Sequence, residues 1–164
     1  MPERISPTLR HLLDPGHCLA FGFGAGLAPK ATGTVGTLLA IPLYLLMVTA
    51  FSSPLVYGLL VAVIIIVAIP LSARAATALG VDDHPAIVLD EIAGFLVTMF
   101  ALVPSWQAVA AGFVLFRLFD IIKPGPIGLA DRRIHGGIGI VLDDLLAGAA
   151  ACSLLHLAEY MSLI

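Results

Sequence analysis

Five apolar runs long enough to cross a bilayer dictate what this chain can become. They cover residues 34–51, 54–71, 87–103, 108–122 and 138–158. In lipid no water reaches the backbone, so a spanning segment satisfies its own N–H and C=O groups as a helix or pairs them around a closed barrel. A barrel needs strands of about ten residues with alternating apolar and polar positions, and these runs do not alternate. Charged residues make up 12%, against about a quarter in soluble domains, and the mean hydropathy is +1.06. The expected fold is all-α: a polytopic membrane bundle of about five spanning helices, in one domain over residues 1–164.

The connections between runs alternate between a charged side and an uncharged one. Arg4, Arg10 and Lys30 precede the first run, Arg74 follows the second, and Lys123, Arg132 and Arg133 follow the fourth, with Arg117 near that run's end. The opposite loops, residues 52–53 and 104–107, carry no charge. An excess of Lys and Arg marks the cytoplasmic side. A bacterial-type inner-membrane protein is therefore expected, with its charged face in the cytoplasm. The two signs are interleaved in one layer and form no basic patch, so the partner is the membrane and not a nucleic acid.

Ahead of the first run, Ile5, Leu9, Leu12 and Leu13 recur at helical spacing with Arg4, Arg10 and His11 between them, the pattern of a short interfacial helix. Residues 17–29 are too short to cross and too glycine-rich to stand as an isolated helix, which suits a re-entrant segment returning to its own face. Cys18 and Cys152 lie in apolar surroundings without metal-type spacing and are expected as free thiols.

The acidic residues carry the chemistry. Asp90, Glu91, Asp120, Asp143 and Asp144 lie within or at the ends of apolar runs, and facing lipid at the bilayer centre these five would cost roughly 12 to 18 kcal/mol together. They must face the bundle interior and meet cations. An internal echo suggests how. Residues 88–94, Val-Leu-Asp-Glu-Ile-Ala-Gly, and residues 141–148, Val-Leu-Asp-Asp-Leu-Leu-Ala-Gly, would open two helices running outward from the charged face. Gly94 and Gly148 would let those helices approach closely and set the acidic pairs across from one another. Arg117, Asp120 and Lys123 form a cation, acid, cation ladder along one helix face. The acids still outnumber such partners, and converging carboxylates repel unless a divalent cation sits among them. Oxygen ligands select Mg2+ or Mn2+, so Asp90, Glu91, Asp143, Asp144 and Asp120 are the candidate ligands.

Groups suited to phosphate surround this layer. The stretch 22–37, Gly-Phe-Gly-Ala-Gly-Leu-Ala-Pro-Lys-Ala-Thr-Gly-Thr-Val-Gly-Thr, offers backbone N–H groups, the hydroxyls of Thr32, Thr34 and Thr37, and Lys30 just before a helix start. Lys123, Arg132 and Arg133 add cations between the last two runs. His84 or His135 is placed to shuttle a proton or ligate metal.

Four ordered blocks over roughly residues 18–150 carry a resemblance. They are the Gly-x-Gly-x-Gly-Leu-x-Pro opening with Gly-Thr-x-Gly-Thr, then Asp-His-x-x-Ile-Val-x-Asp-Glu-x-x-Gly from Asp83, then Gly-Phe-x-x-Phe-Arg-x-x-Asp-x-x-Lys-Pro-x-Pro-Ile from Gly112, then His-Gly-Gly-x-Gly-Ile-x-x-Asp-Asp-x-x-Ala-Gly from His135. In these the chain resembles the phosphatidylglycerophosphatase A family, with Thr32 where a proline is expected and Leu89 where an aromatic is often seen. The resemblance implies an Mg2+-dependent membrane enzyme that removes the terminal phosphate of phosphatidylglycerophosphate to give phosphatidylglycerol.

The residues fit that activity: Asp90, Glu91, Asp143 and Asp144 would hold one or two Mg2+ ions, and Lys30, Arg117 and Arg132 or Arg133 would neutralise the phosphoryl oxygens. His135 or His84 would protonate the departing glycerol alkoxide. The chain has no Asp-x-Asp-x-Thr or Asp-x-Asp-x-Val, and neither cysteine begins a Cys-x5-Arg loop, so no covalent nucleophile is evident, with a histidine nucleophile the alternative left open. Buried carboxylates near broken helices also mark ion- or proton-coupled transporters, but the outer half here is apolar. A CDP-alcohol phosphotransferase also holds metal with membrane-face aspartates, but its Asp-Gly and spaced Asp signature is absent.

Overall fold

A computed structural model describes residues 7–164. The architecture is all-helical, with no strand among the described residues: α1 (Pro15–Ala20), α2 (Thr32–Ala50), α3 (Pro54–Leu79), α4 (Leu89–Thr98), α5 (Trp106–Ile122), α6 (Pro126–Arg133) and α7 (Gly136–Tyr160). α7 is the central post, against which α3, α4, α5 and α6 pack. Three helices, α2, α3 and α7, are long and apolar enough to cross a membrane, and their outer faces expose Leu46, Leu55, Ile66 and Leu157 as lipid-facing side chains should be.

The run at 87–103 differs from a continuous span. Its helix α4 has 10 residues, about 15 Å at the helical rise and half of a hydrocarbon core. Asp82, Asp83, His84 and Pro85 hold the chain irregular before Leu89, and a turn with Ala101 at φ 58° ends the segment. This irregular backbone is tolerable because α4 is enclosed by protein: Ile92, Ala93, Phe95, Leu96 and Thr98 are all buried. Tyr57 on α3 donates its hydroxyl to the Leu96 carbonyl at 2.7 Å, tying α4 to its neighbour.

The echo between residues 88–94 and 141–148 is a packing device. A Cβ added to Gly148 would stand 2.3 Å from the Gly94 carbonyl oxygen, and one added to Gly94 would stand 2.8 Å from the Asp144 carbonyl oxygen. The two backbones therefore touch where any side chain would force them apart. Pro42 and Pro70 sit inside continuous helices, as expected of spans supported by neighbours.

At the N-terminal side, Leu9–Leu13 form a 3-10 helix with Leu9 and Leu13 exposed; Arg4 and Ile5, which complete the expected interfacial pattern, lie outside the described residues. The glycine-rich run does not cross. It folds as α1 and a turn over Gly22–Leu27, with Phe23 and Gly24 at positive φ, packed on α2 and α3. The Val88 amide donates to the Ala20 carbonyl at 2.9 Å. Asp14 caps α1 through the His17 amide (3.0 Å) and pairs with Arg74 (2.6 Å); the amide first, and Arg74 with it, hold this carboxyl below the ordinary range. At the opposite end Glu159 accepts from the Val103 amide and His156 meets the Phe100 carbonyl. Both cysteines are free.

The glycine contact makes a clear prediction. Gly148→Val should destabilise the protein by about 1–3 kcal/mol, the usual range for overpacking, read as a lower unfolding temperature in detergent. Ala149→Val, one position on and exposed, should leave that temperature unchanged.

Candidate active site

At the charged end four helices and a loop enclose a cavity of about 280 Å³, lined by Ala31, Thr32 and Gly33 of the α2 start, Asp83, Asp90, Glu91, Arg117, Asp120, Lys123, Asp143 and Asp144. Each acid is placed by local geometry. Asp90 and Glu91 occupy the first turn of α4, where the helix N-terminus favours negative charge, and Asp90 also accepts from the Glu91 amide at 3.0 Å. Asp143 and Asp144 lie two turns into α7, at the level set by the Gly94 and Gly148 contact. Arg117 and Asp120 come from the last turns of α5, and Lys123 caps that helix in the left-handed conformation, φ 47°.

Asp90, Glu91 and Asp144 each bring a carboxylate oxygen within 4.8 Å of the others. Asp90 and Asp144 are almost wholly enclosed, 6% and 4% exposed, and Glu91 Oε2 is buried without a hydrogen-bond partner. Arg117 is the nearest cation: its Nη1 lies 2.5 Å from Asp120 and 3.9 Å from Glu91. Of the three clustered carboxylates only Glu91 reaches that guanidinium, so net negative charge remains in a confined space. An all-oxygen donor set with an orphaned oxygen fits a hard divalent cation. Gly33 permits this closeness, since a Cβ there would stand 2.1 Å from Glu91 Oε1 and 2.9 Å from Arg117.

Asp143 behaves differently from Asp144. Neighbouring positions on a helix point about 100° apart, and Asp143 turns to Lys123, which also holds Asp131 at 2.5 Å. Burial works against the Lys123 charge, but its hydrogen bonds to Asp131 and Asp143 outweigh that and hold its pKa above the ordinary lysine value. The second oxygen of Asp143, Oδ1, is buried without a hydrogen-bond partner.

Of the phosphate-binding candidates, Thr32, Arg117 and Lys123 line the cavity. Thr34 sits on α2 beyond its wall, Thr37 is buried and donates to the Gly33 carbonyl at 2.8 Å, and the exposed Lys30, Arg132 and Arg133 are not among the lining residues. His84 turns its Nδ1 to the Ala86 amide at 3.0 Å and is not among the lining residues. His135 precedes α7 and lines a smaller cavity next door.

Two residues escaped sequence reasoning. Asp83 lines both cavities; it stands in a polar Asp-Asp-His-Pro loop, where adjacent acids read as solvated. Partial loss of water and the nearby Asp143 hold its carboxyl above the ordinary range. Asp131 reaches Lys123 because α6 folds back on α7 after the Pro124-Gly125-Pro126 turn. Its signal was the unlike-charge pair across that turn, masked by the more conspicuous Arg132 and Arg133.

Comparisons with known proteins place the sequence. The sequence model described as Phosphatidylglycerophosphatase A matches residues 18–159. The Phosphatidylglycerophosphatase A of Escherichia coli (strain K12) is 45% identical over 144 residues, 87% of this chain and 83% of that protein. The Haemophilus influenzae protein of the same name is 36% identical over 153 residues, 93% of each chain. No solved structure matches.

The bridge at Lys123 is testable through stability. Lys123→Met leaves Asp143 buried without its cation and should lower stability by about 1–3 kcal/mol. Adding Asp143→Asn should recover part of that loss, a coupling measured by a double-mutant cycle in detergent.

Proposed function

Because the chain belongs to the phosphatidylglycerophosphatase A family, we propose that it removes the terminal phosphate of phosphatidylglycerophosphate, releasing phosphatidylglycerol and inorganic phosphate, with Mg2+ held by Asp90, Glu91 and Asp144 at the cytoplasmic face. The observation that carries this reading is the convergence of three enclosed carboxylates beside Arg117 and Lys123 in one cavity. A phosphate monoester carries about −1.5 to −2 charges near neutral pH. Acids alone would repel it, and cations alone would need no such cluster. A divalent cation in that position supplies Lewis-acid polarisation of the phosphoryl oxygens and eases deprotonation of water.

The chain's own groups do the rest. Arg117 and Lys123 face the cavity and neutralise the non-bridging oxygens, each held in place by a carboxylate: Asp120 for Arg117, Asp143 for Lys123. In this reading Asp120 and Asp143, candidate ligands by sequence, position cations instead. The start of α2, Ala31 to Gly33, presents a helix N-terminus to the same anion, with the Thr32 hydroxyl beside it. Lys30, Arg132 and Arg133 lie outside and meet the headgroup layer.

Water attacks phosphorus, the bond from phosphorus to the glycerol oxygen breaks, and its electron pair leaves with that oxygen; one water proton stays on the released phosphate and the other restores the proton that His135 gives up. His135 then donates the proton that completes the glycerol hydroxyl. His135 is preferred to His84, whose Nδ1 is engaged by the Ala86 amide. The cytoplasmic orientation is supported by the confinement of Lys and Arg to this end.

Phosphate release from phosphatidylglycerophosphate by the purified protein tests the reading. Activity should need Mg2+ and vanish with a chelator. Asp90→Asn and Asp144→Asn should insert normally yet fall to the metal-free rate; retained turnover in both would overturn the ligand assignment. His135→Ala should slow turnover about 10²–10⁴-fold, with His84→Ala much nearer wild type.

A further inference from the structure

A second cavity of about 140 Å³ shares a wall with the first, and Asp83, Ile140 and Asp143 line both. The two differ in charge. Among the described residues no Lys or Arg lines the smaller one, whose polar wall is Asp82, Asp83, Asp131, Asp143 and His135. A phosphate would be repelled there. A metal ion is also disfavoured. Lys123 already neutralises Asp131 and Asp143 from the far side of the wall, and the only acids among the described residues whose oxygens converge for a cation are Asp90, Glu91 and Asp144.

What carboxylates without cations can bind is a neutral group rich in O–H donors. The wall already holds one unanswered acceptor: Asp143 is 5% exposed, and its Oδ1 is buried without a hydrogen-bond partner. Beside it Asp82 and Asp83 are exposed acceptors open to a hydroxyl donor, and such bonds to charged acceptors are among the stronger ones.

We propose that the smaller cavity is the subsite for the hydroxyl-bearing glycerol that carries the scissile phosphate, with Asp82 and Asp83 accepting from its hydroxyl beside Asp143. The inference rests on the phosphatase reading and adds to it the basis of headgroup choice. A lipid whose phosphate joins diacylglycerol directly has no hydroxyl to offer at that distance. The same placement sets His135 next to the glycerol oxygen that departs.

The test uses the full-length protein in detergent with Mg2+ and two soluble phosphate monoesters, glycerol 1-phosphate and propyl phosphate, which differ only in hydroxyls. Calorimetric titration of the wild-type protein should give about 10- to 100-fold tighter binding of glycerol 1-phosphate. Asp83→Ala should erase most of that preference, and Asp82→Ala, on the exposed loop, should reduce it. In parallel, the kcat/KM ratio of phosphatidylglycerophosphate over diacylglycerol 3-phosphate should fall about tenfold in Asp83→Ala. Equal wild-type affinities for the two monoesters would overturn the subsite, as would a lipid ratio unchanged in both variants. Failure of the wild-type protein to release phosphate from phosphatidylglycerophosphate would overturn the phosphatase reading, and the subsite with it. Release with no hydroxyl preference would overturn the subsite alone.

Discussion

Backbone contact between α4 and α7 is the constraint on which the site depends. With Gly94 and Gly148 facing each other, the helices close until carbonyl oxygens occupy the space of absent side chains. Only at that separation can carboxylates from both helices reach a common point, because an Asp side chain extends only a few bonds from its backbone. Dispersion across the apolar part of the contact, helped by Phe95 of α4 standing edge-on to Phe116 of the adjacent α5, must outweigh the repulsion that the closeness creates. A packing motif and a charge cluster are thus two ends of one interface.

That repulsion explains why the acids divide into two kinds. Asp120 and Asp143 each take a cation, Arg117 and Lys123, in buried or half-buried pairs. Of Asp90, Glu91 and Asp144, only Glu91 has a share of Arg117. A structural network would have distributed its cations evenly, because an unpaired buried charge is among the most destabilising features a fold can carry. The uneven distribution leaves a vacancy of charge in one place and a row of fixed positive groups beside it. On the proposed function, a doubly negative ligand and a divalent cation would complete this layout together.

Much of this was legible in the sequence because membranes are strict solvents. Long apolar runs had to become helices, one-sided charges had to share an end, and acids inside apolar runs had to turn inward; α2, α3, α7 and the gathering of Asp90, Glu91 and Asp144 follow from those rules. The echo between residues 88–94 and 141–148 likewise announced the glycine contact. Hydropathy alone could not show that residues 87–103 yield only a 10-residue helix, because apolar composition does not separate a helix sunk in protein from one crossing lipid. Nor could periodicity show which of Asp143 and Asp144 turns toward Lys123. That choice depends on where α6 folds back to bring Asp131 alongside, a tertiary fact with no local trace.

The start of α4 at the cavity has an electrostatic consequence. Its first turn and the first turn of α2 both open onto the same cavity, so two helix N-termini direct partial positive charge at one point. Asp90 and Glu91 sit in one of those fields, which lowers the cost of keeping them charged in an enclosed space. α5 arrives with the opposite polarity, and its C-terminal end would repel an anion. Lys123, in a left-handed cap conformation, stands at that end, and Arg117 lies between it and Glu91. Each helix terminus at the cavity therefore either favours negative charge directly or carries the cation that compensates for it. On the proposed function, a lipid phosphate at this cavity meets a field prepared by backbone as much as by side chains.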